Sequence, residues 1–188
     1  MAGASLHASG IVSEQSALDR LNVEAKLEAF NRALLGDDEL GAVIRGHIYI
    51  ENELIAFIKA RLPVPEAIKD RDIDYSMRVK LAVALGLDPD FEPALNFVGS
   101  LRNGFAHRLD ARIGKQEAEN FEKALGPHRA ITSASYRQAH INLGTEATAI
   151  PIKQQEPKDR IVLCFVTLWA GILIAAHAAA IARAADQP

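Results

Sequence analysis

Leu101-Arg102-Asn103-Gly104-Phe105-Ala106-His107-Arg108, about halfway along the chain, decides how the rest is read. Working back from it, Phe91, Leu95, Val98, Leu101 and Phe105 recur at spacings of four, three, three and four residues. That is one buried face of an α-helix, so the stretch is predicted to end a core helix. Arg102 and His107 are five residues apart, which on an ideal helix is a rotation of about 140°. Asn103 and His107 are four apart and share a face. Arg102 and His107 therefore reach one phosphate together only if the helix loosens near Gly104, or if a second copy of the chain supplies the missing half.

The three polar side chains have a chemistry in common. Histidine titrates near neutral pH and can give or take a proton from a ribose hydroxyl. Arginine stays charged and grips phosphate oxygens in a fork, stabilising charge that develops at phosphorus. Asparagine can orient either partner. Arg102, Asn103 and His107 are thus the candidate catalytic residues. The competing reading has Arg102 and His107 bonding carbonyls at the helix C-terminus, where the dipole favours cations. Spacing alone favours that plainer reading, because Arg-x4-His strings arise often by chance.

Composition narrows the field. A chain of 188 residues is long enough for one domain with a sizeable core. With 49% hydrophobic and 24% charged residues, neither disorder nor a disulfide scaffold is expected. The net charge of −3 argues against a strongly basic nucleic-acid binder, so any such contact would be local. Cys164 is the single cysteine, which rules out an internal disulfide and a cysteine metal cluster and fits a reducing cytoplasm. MAGASLHASG at the N-terminus lacks a basic segment followed by an apolar run, so no secretory signal is expected.

Residues 1–12 read as a loose segment and 13–188 as one helical domain. Ser16 with Asp19 resembles a capping box, and a first helix is predicted to run to about Leu35, with Val23, Leu27, Phe30 and Leu34 as its stripe and Gly36 as its stop. A second helix spans about Asp38 to Leu62, with Ile44, His47, Ile48, Glu51, Ile55, Ile58 and Leu62 on one face. His47 and Glu51 are two ionisable groups inside that apolar stripe. A buried carboxylate without a partner costs several kcal/mol, so Glu51 needs one, and His47 or Arg102 could serve. The pair either fixes helix register or supports Arg102 and His107 from behind, as built sites commonly do. Glu53, Lys59 and Arg61 read as solvated.

Pro63 and Pro65 end the second helix. A third runs from Asp72–Asp74 to Leu85, with Met77, Leu81 and Leu85 inward, Arg78 and Lys80 off the stripe, and Gly86 as its stop. In the turn DPDFEP, Asp90 is the expected N-cap and Pro93 sits in the tolerated first turn. Residues 114–125 form a short charged helix closed by Gly126-Pro127. From 128 to 156 the pattern dissolves into a long loop carrying His128, Arg129, Tyr136, Arg137 and His140, a cationic-aromatic cluster able to contact RNA or merely to be solvated.

The last helix, about Pro157 to Ala185, has no Lys, Arg, Asp or Glu between Ile161 and Ala182. It is long enough to cross a bilayer. Its alanine-rich second half and His177 are poor for insertion, and a helix apolar all round also suits the centre of a bundle. The buried reading is preferred, with a tail anchor as the alternative. No strand pattern appears, so the class is all-α, an antiparallel bundle of about six helices. There is no Gly-rich phosphate loop and no metal-binding string. No helix pair carries the exposed basic and amide residues of a DNA-reading helix-turn-helix. No cofactor or metal is expected.

Three segments together resemble a known family. RGHIYIENELIAFI (45–58), DYSMRVKLAVALGL (74–87) and LRNGFAH (101–107), followed by an apolar terminal helix, are similar to the mannitol-repressor family within the HEPN superfamily. The resemblance covers roughly Asp37 to Arg183. Its most specific part is LRNGFAH, because the superfamily signature is an Arg, a polar residue after it and a His soon afterwards. Here these are Arg102, Asn103 and His107. The resemblance implies a HEPN-like bundle and two activities. Many HEPN proteins are metal-independent endoribonucleases that dimerise so that two such motifs face one cleft, and this would answer the geometric demand above. The mannitol-repressor branch is regulatory, acting through partners without an obvious DNA-binding motif. The expectation is a cytoplasmic, homodimeric regulator that binds protein or RNA, with the ribonuclease as the close alternative.

Overall fold

Polar caps and glycine stops set where the helices begin and end. The computed structural model describes residues 25–27, 29–34, 38–108, 110–132 and 151–185. Helix α1 is seen within 25–34, where Phe30 and Leu34 are fully buried and Leu27 packs beside them. Its expected capping box, Val23 and Gly36 lie outside the described residues, as do the segment 1–12 and Tyr136, Arg137 and His140. Helix α2 is Glu39–Arg61. The Asp38 carboxylate accepts from the Gly41 N–H at 2.7 Å, satisfying one of the free donors of a first turn.

Helix α3 is Tyr75–Ala84, capped by Asp74, which accepts from the Met77 N–H at 2.8 Å. It stops at Gly86, as expected. Gly86 has φ of 99°, the Leu87 N–H reaches the Ala82 carbonyl at 2.9 Å and the Gly86 N–H reaches Val83 at 3.0 Å. These are the two bonds of a Schellman motif, and Leu87 completes it by being buried. Helix α4, Glu92–His107, buries Ala94, Leu95, Val98, Leu101 and Phe105, the face predicted from spacing. Asp88, not Asp90, is the cap before it: its carboxylate accepts from the Asp90 N–H at 3.0 Å and starts a 3-10 turn that leads into the helix. Helix α5 is Lys115–Ala124 and helix α6 is Pro157–Ala185. Among the described residues there is no strand, and the class is an all-α bundle.

The core forms where α6 lies along α2, their contact being the most extensive between any two helices. Gly46 makes it possible: a Cβ there would stand 2.7 Å from the Phe165 ring, so only glycine lets the two backbones approach so closely. That contact rotates α2 relative to the expected stripe. Val43, Gly46, Ile50, Leu54 and Phe57 face the core, while Ile48 is 47% exposed. Val43, Ile50, Leu54 and Phe57 form a second apolar stripe overlapping the expected one, and packing on Phe165 selects it. In α3 Val79 and Ala82 are buried and the expected Leu81 and Leu85 pack half-buried against the core, while Met77 is half exposed.

Gly46 meets Phe165 near the start of both helices, and Arg183 donates to the Lys59 carbonyl at 2.9 Å near the end of both. The α2/α6 pair inside this bundle therefore runs parallel, which its long connection through α3–α5 permits. Aromatic rings fill the seam: Phe30 lies 4.6 Å from Trp169, and Phe121 meets Phe165 edge-on at 5.2 Å. The expected long loop begins with structure. A 3-10 turn spans Gly126–His128 and residues 129–132 are helical. His128 stacks on Phe91 at 4.0 Å and Arg129 reaches Glu122 at 3.2 Å, so this part of the cationic cluster is tied to the bundle.

Candidate functional site

Helices α2, α3 and α4 diverge around an open cleft of about 710 Å³. Each wall comes from a local rule already met. The Asp74 cap places Tyr75 in the first turn of α3, and Gly99 leaves room for its ring, since a Cβ there would lie 2.9 Å from Tyr75 Cε1. Lying flat on α4 in this way, Tyr75 donates its hydroxyl to the Leu95 carbonyl at 2.9 Å. The His47 ring packs on Tyr75 with centroids 4.5 Å apart. One turn along α2, Glu51 Oε2 lies 3.9 Å from His47 Nδ1.

The partner that Glu51 needs is Arg78. The Arg78 guanidinium donates to the Glu51 carboxylate and to the Asp70 carbonyl. Its side chain is only 11% exposed, so the placement of Arg78 off the buried stripe is corrected: the carboxylate draws the cation inward. Of the two readings of Glu51, a structural pair or a support for Arg102 and His107, its bond is to Arg78 rather than to Arg102. Sequence reasoning also missed Tyr75 and Gly99. The demand for a cation opposite Glu51 was a usable signal for Arg78, because Arg78 lies in the first turn of the next α-helix.

Burial pushes the His47 imidazole below its ordinary range, and the Arg102 and Arg78 charges push it further down against the pull of Glu51. His47 is therefore neutral at neutral pH. Burial and then Glu51 drive the Tyr75 phenol well above its usual range, which keeps its proton on the bond to Leu95. Glu53, read as solvated, is half-buried, and that burial raises its carboxyl pKa against the nearby Lys26.

Arg102 and Asn103 line the cleft with His47 and Glu51, so four of the five predicted site residues come together. Arg102 Nη1 donates to Asn103 Oδ1 at 3.1 Å, and both side chains are exposed. His107 is the fifth. It is exposed at the last residue of α4 and is not among the residues that line the cleft. The helix does not loosen at Gly104: it stays α-helical to His107, held by buried Leu101 and Phe105. The Arg108 guanidinium folds back over Gly104, 3.2 Å from where a Cβ would be. Within one chain, then, Arg102 and His107 keep their separation of about 140°. Among the described residues no three His, Cys, Asp or Glu side chains converge at metal-binding spacing.

No protein-family model, no curated protein and no solved structure matches this chain.

Proposed function

We propose that this is a cytoplasmic regulatory protein of the mannitol-repressor-like HEPN kind, acting through a protein or nucleic-acid partner bound at the α2–α3–α4 cleft. One observation carries the reading. Arg102 and Asn103 stand exposed at a cleft whose deeper charges, Glu51 and Arg78, already neutralise each other, while the only nearby proton-transfer group of the motif, His107, lies outside it. Such an arrangement grips a partner with the motif's own general acid or base out of reach. Swapping Arg102 is expected to weaken partner binding without unfolding the chain.

The endoribonuclease is the second reading. It is favoured by the exposure of all three motif side chains at the end of one helix, open to a second protomer. There a ribose 2′-hydroxyl would attack the adjacent phosphorus and expel the 5′-oxygen of the next nucleotide, leaving a 2′,3′-cyclic phosphate, with His107 moving the proton and Arg102 stabilising the five-coordinate phosphorus. RNA cleavage by purified protein in excess chelator, beside Arg102→Ala and His107→Ala variants of matched thermal stability, separates the two. The regulator gives no cleavage above background in any of them. Cleavage lost in both variants, with cyclic-phosphate ends, makes the protein a ribonuclease. Sedimentation at micromolar concentration adds a check, since a clean monomer removes the two-protomer site.

A further inference from the structure

The donors at the cleft mouth are unbalanced. A guanidinium has five N–H donors and no acceptor, and an amide has two donors and one acceptor oxygen. Arg102 spends one N–H on Asn103 Oδ1. That bond uses the amide oxygen facing it and fixes which end of Asn103 is left, so what the pair offers outward is a set of N–H groups. The carboxylates of the cleft are engaged elsewhere: Glu51 with Arg78, Asp70 with Lys59 at 2.9 Å, and Asp74 with the Met77 N–H. Among the described residues no carboxylate forms an ion pair with Arg102. An acceptor-rich group complements such a mouth, and an anion does so with charge-assisted bonds.

Behind the mouth the cleft is larger than any bare anion. Its volume of about 710 Å³ falls within the range of small-molecule sites, roughly 300–1,000 Å³. One wall is uncharged, made by the Tyr75 ring, neutral His47 and the bare backbone at Gly99, and suits the body of a ligand more than a second charge. We infer that the cleft binds a phosphorylated small molecule, its phosphoryl group held by Arg102 and Asn103 and its body lying along Tyr75 and His47. The inference rests on reading this cleft as the binding surface and adds a small effector that competes there with the macromolecular partner.

Binding also reports itself through His47. The groups facing that imidazole are Glu51 on its own helix, Arg78 and Tyr75 from α3, and Arg102 from α4. Of these, Arg102 disfavours the imidazolium, and a phosphoryl group on Arg102 cancels that repulsion. Ligand binding therefore draws a proton onto His47, a coupling that favours binding as pH falls below neutral and opposes the loss of ligand charge near the phosphate's second pKa of about 6.

The test follows the His47 ring proton by NMR while inorganic phosphate, ribose 5-phosphate and ribose are titrated at constant ionic strength. Phosphate is expected to shift the signal saturably with a Kd of about 1–10 mM, and ribose 5-phosphate to bind more tightly than either phosphate or ribose. Arg102→Gln, at an exposed position, should weaken both phosphorylated probes about tenfold, while Lys115→Gln on α5 changes nothing. His47→Gln should leave only the pH dependence of the phosphate's own second ionisation, near pH 6, with binding then followed by calorimetry. A shift that grows linearly with phosphate and is matched by chloride, or that survives Arg102→Gln, overturns the inference. Partner binding that is lost in Arg102→Gln without saturable phosphate binding sinks this inference alone. The converse, phosphate bound but no protein or RNA partner, sinks only the macromolecular reading.

Discussion

Arg160 is 3% exposed, and its Nε donates to Glu122 Oε1 at 2.7 Å, while Arg129 holds the other oxygen at 3.2 Å. Breaking such a buried pair leaves an uncompensated charge, typically costing about 3–5 kcal/mol. Against a total stability of about 5–15 kcal/mol, Glu122→Ala is expected to bring the protein near unfolding. Replacing both partners, as Glu122→Leu with Arg160→Met, should recover most of the loss; urea midpoints decide. Nothing in KQEAENFEKA marks Glu122 as the buried carboxylate among several, because its partner is 38 residues away. The same limit applies at the candidate site. That Glu51 needed a cation was legible from the apolar residues around it, but which of His47, Arg78 or Arg102 supplied it depended on how α3 crosses α2. His47 carries a second prediction. Its folded pKa lies below the unfolded value of 6.5, so above that pH both states are neutral and it contributes no pH dependence. As pH falls through 6.5 the unfolded chain takes the proton first, and stability drops until the folded pKa is passed. His47→Gln should flatten that part of the stability curve, read as urea midpoints between about pH 7.5 and 5.

At the scale of elements, glycine governs how closely the helices approach. A methyl at Gly46 would stand 2.7 Å from the Phe165 ring. Overpacking of this kind costs about 1–3 kcal/mol, while alanine returns up to about 1 kcal/mol of helix propensity. Gly46→Ala should therefore destabilise by a net of up to about 2 kcal/mol, and adding Phe165→Leu should reverse part of it. If Gly46→Ala instead raises the melting temperature, the close α2/α6 seam is wrong. Gly86 acts differently, having no atom within 4 Å but φ of 99°, so Gly86→Ala loses stability through backbone strain alone. These elements divide by how local their cause is. The ends of α3 and the buried face of α4 were legible because a cap, a stop and a single clean stripe specify them. The face of α2 was not: Ile44, Ile48 and Ile55 compete with Val43, Ile50 and Leu54, and only the position of Phe165, more than a hundred residues on in sequence, chooses between them.

For the whole molecule the deciding element is α6, which among the described residues is the one helix long and apolar enough to cross a bilayer. Half of its most apolar span is buried against the bundle, and the buried side includes Phe165, Leu168, Trp169 and Ile172. Each such side chain stabilises the fold by about 1.5–3 kcal/mol, and together they link α1, α2 and α5 into one core. The opposite side leaves Ile174 at 61% and Ile181 at 56% exposure, seven residues apart and so on one face. A core helix and a membrane anchor respond oppositely to charge on these two sides. If α6 is the core of a bundle, Phe165→Asp unfolds the chain, whereas the double change Ile174→Lys with Ile181→Lys moves the melting temperature little, a surface effect within about 0.5 kcal/mol per site. If α6 is an anchor, the lysine at 174 places a charge near the middle of the apolar span, at a cost of about 2.5–3.5 kcal/mol, while the one at 181 snorkels towards the interface at less cost. They should then shift the protein from the membrane pellet to the supernatant after high-speed centrifugation. Wild type and double-lysine variant staying alike in the supernatant without detergent, with matching thermal melts, is the outcome expected of the bundle. A wild type that pellets with membranes and is released by the two lysines would make α6 an anchor, and the buried side of the helix would then have to leave the core to enter the lipid.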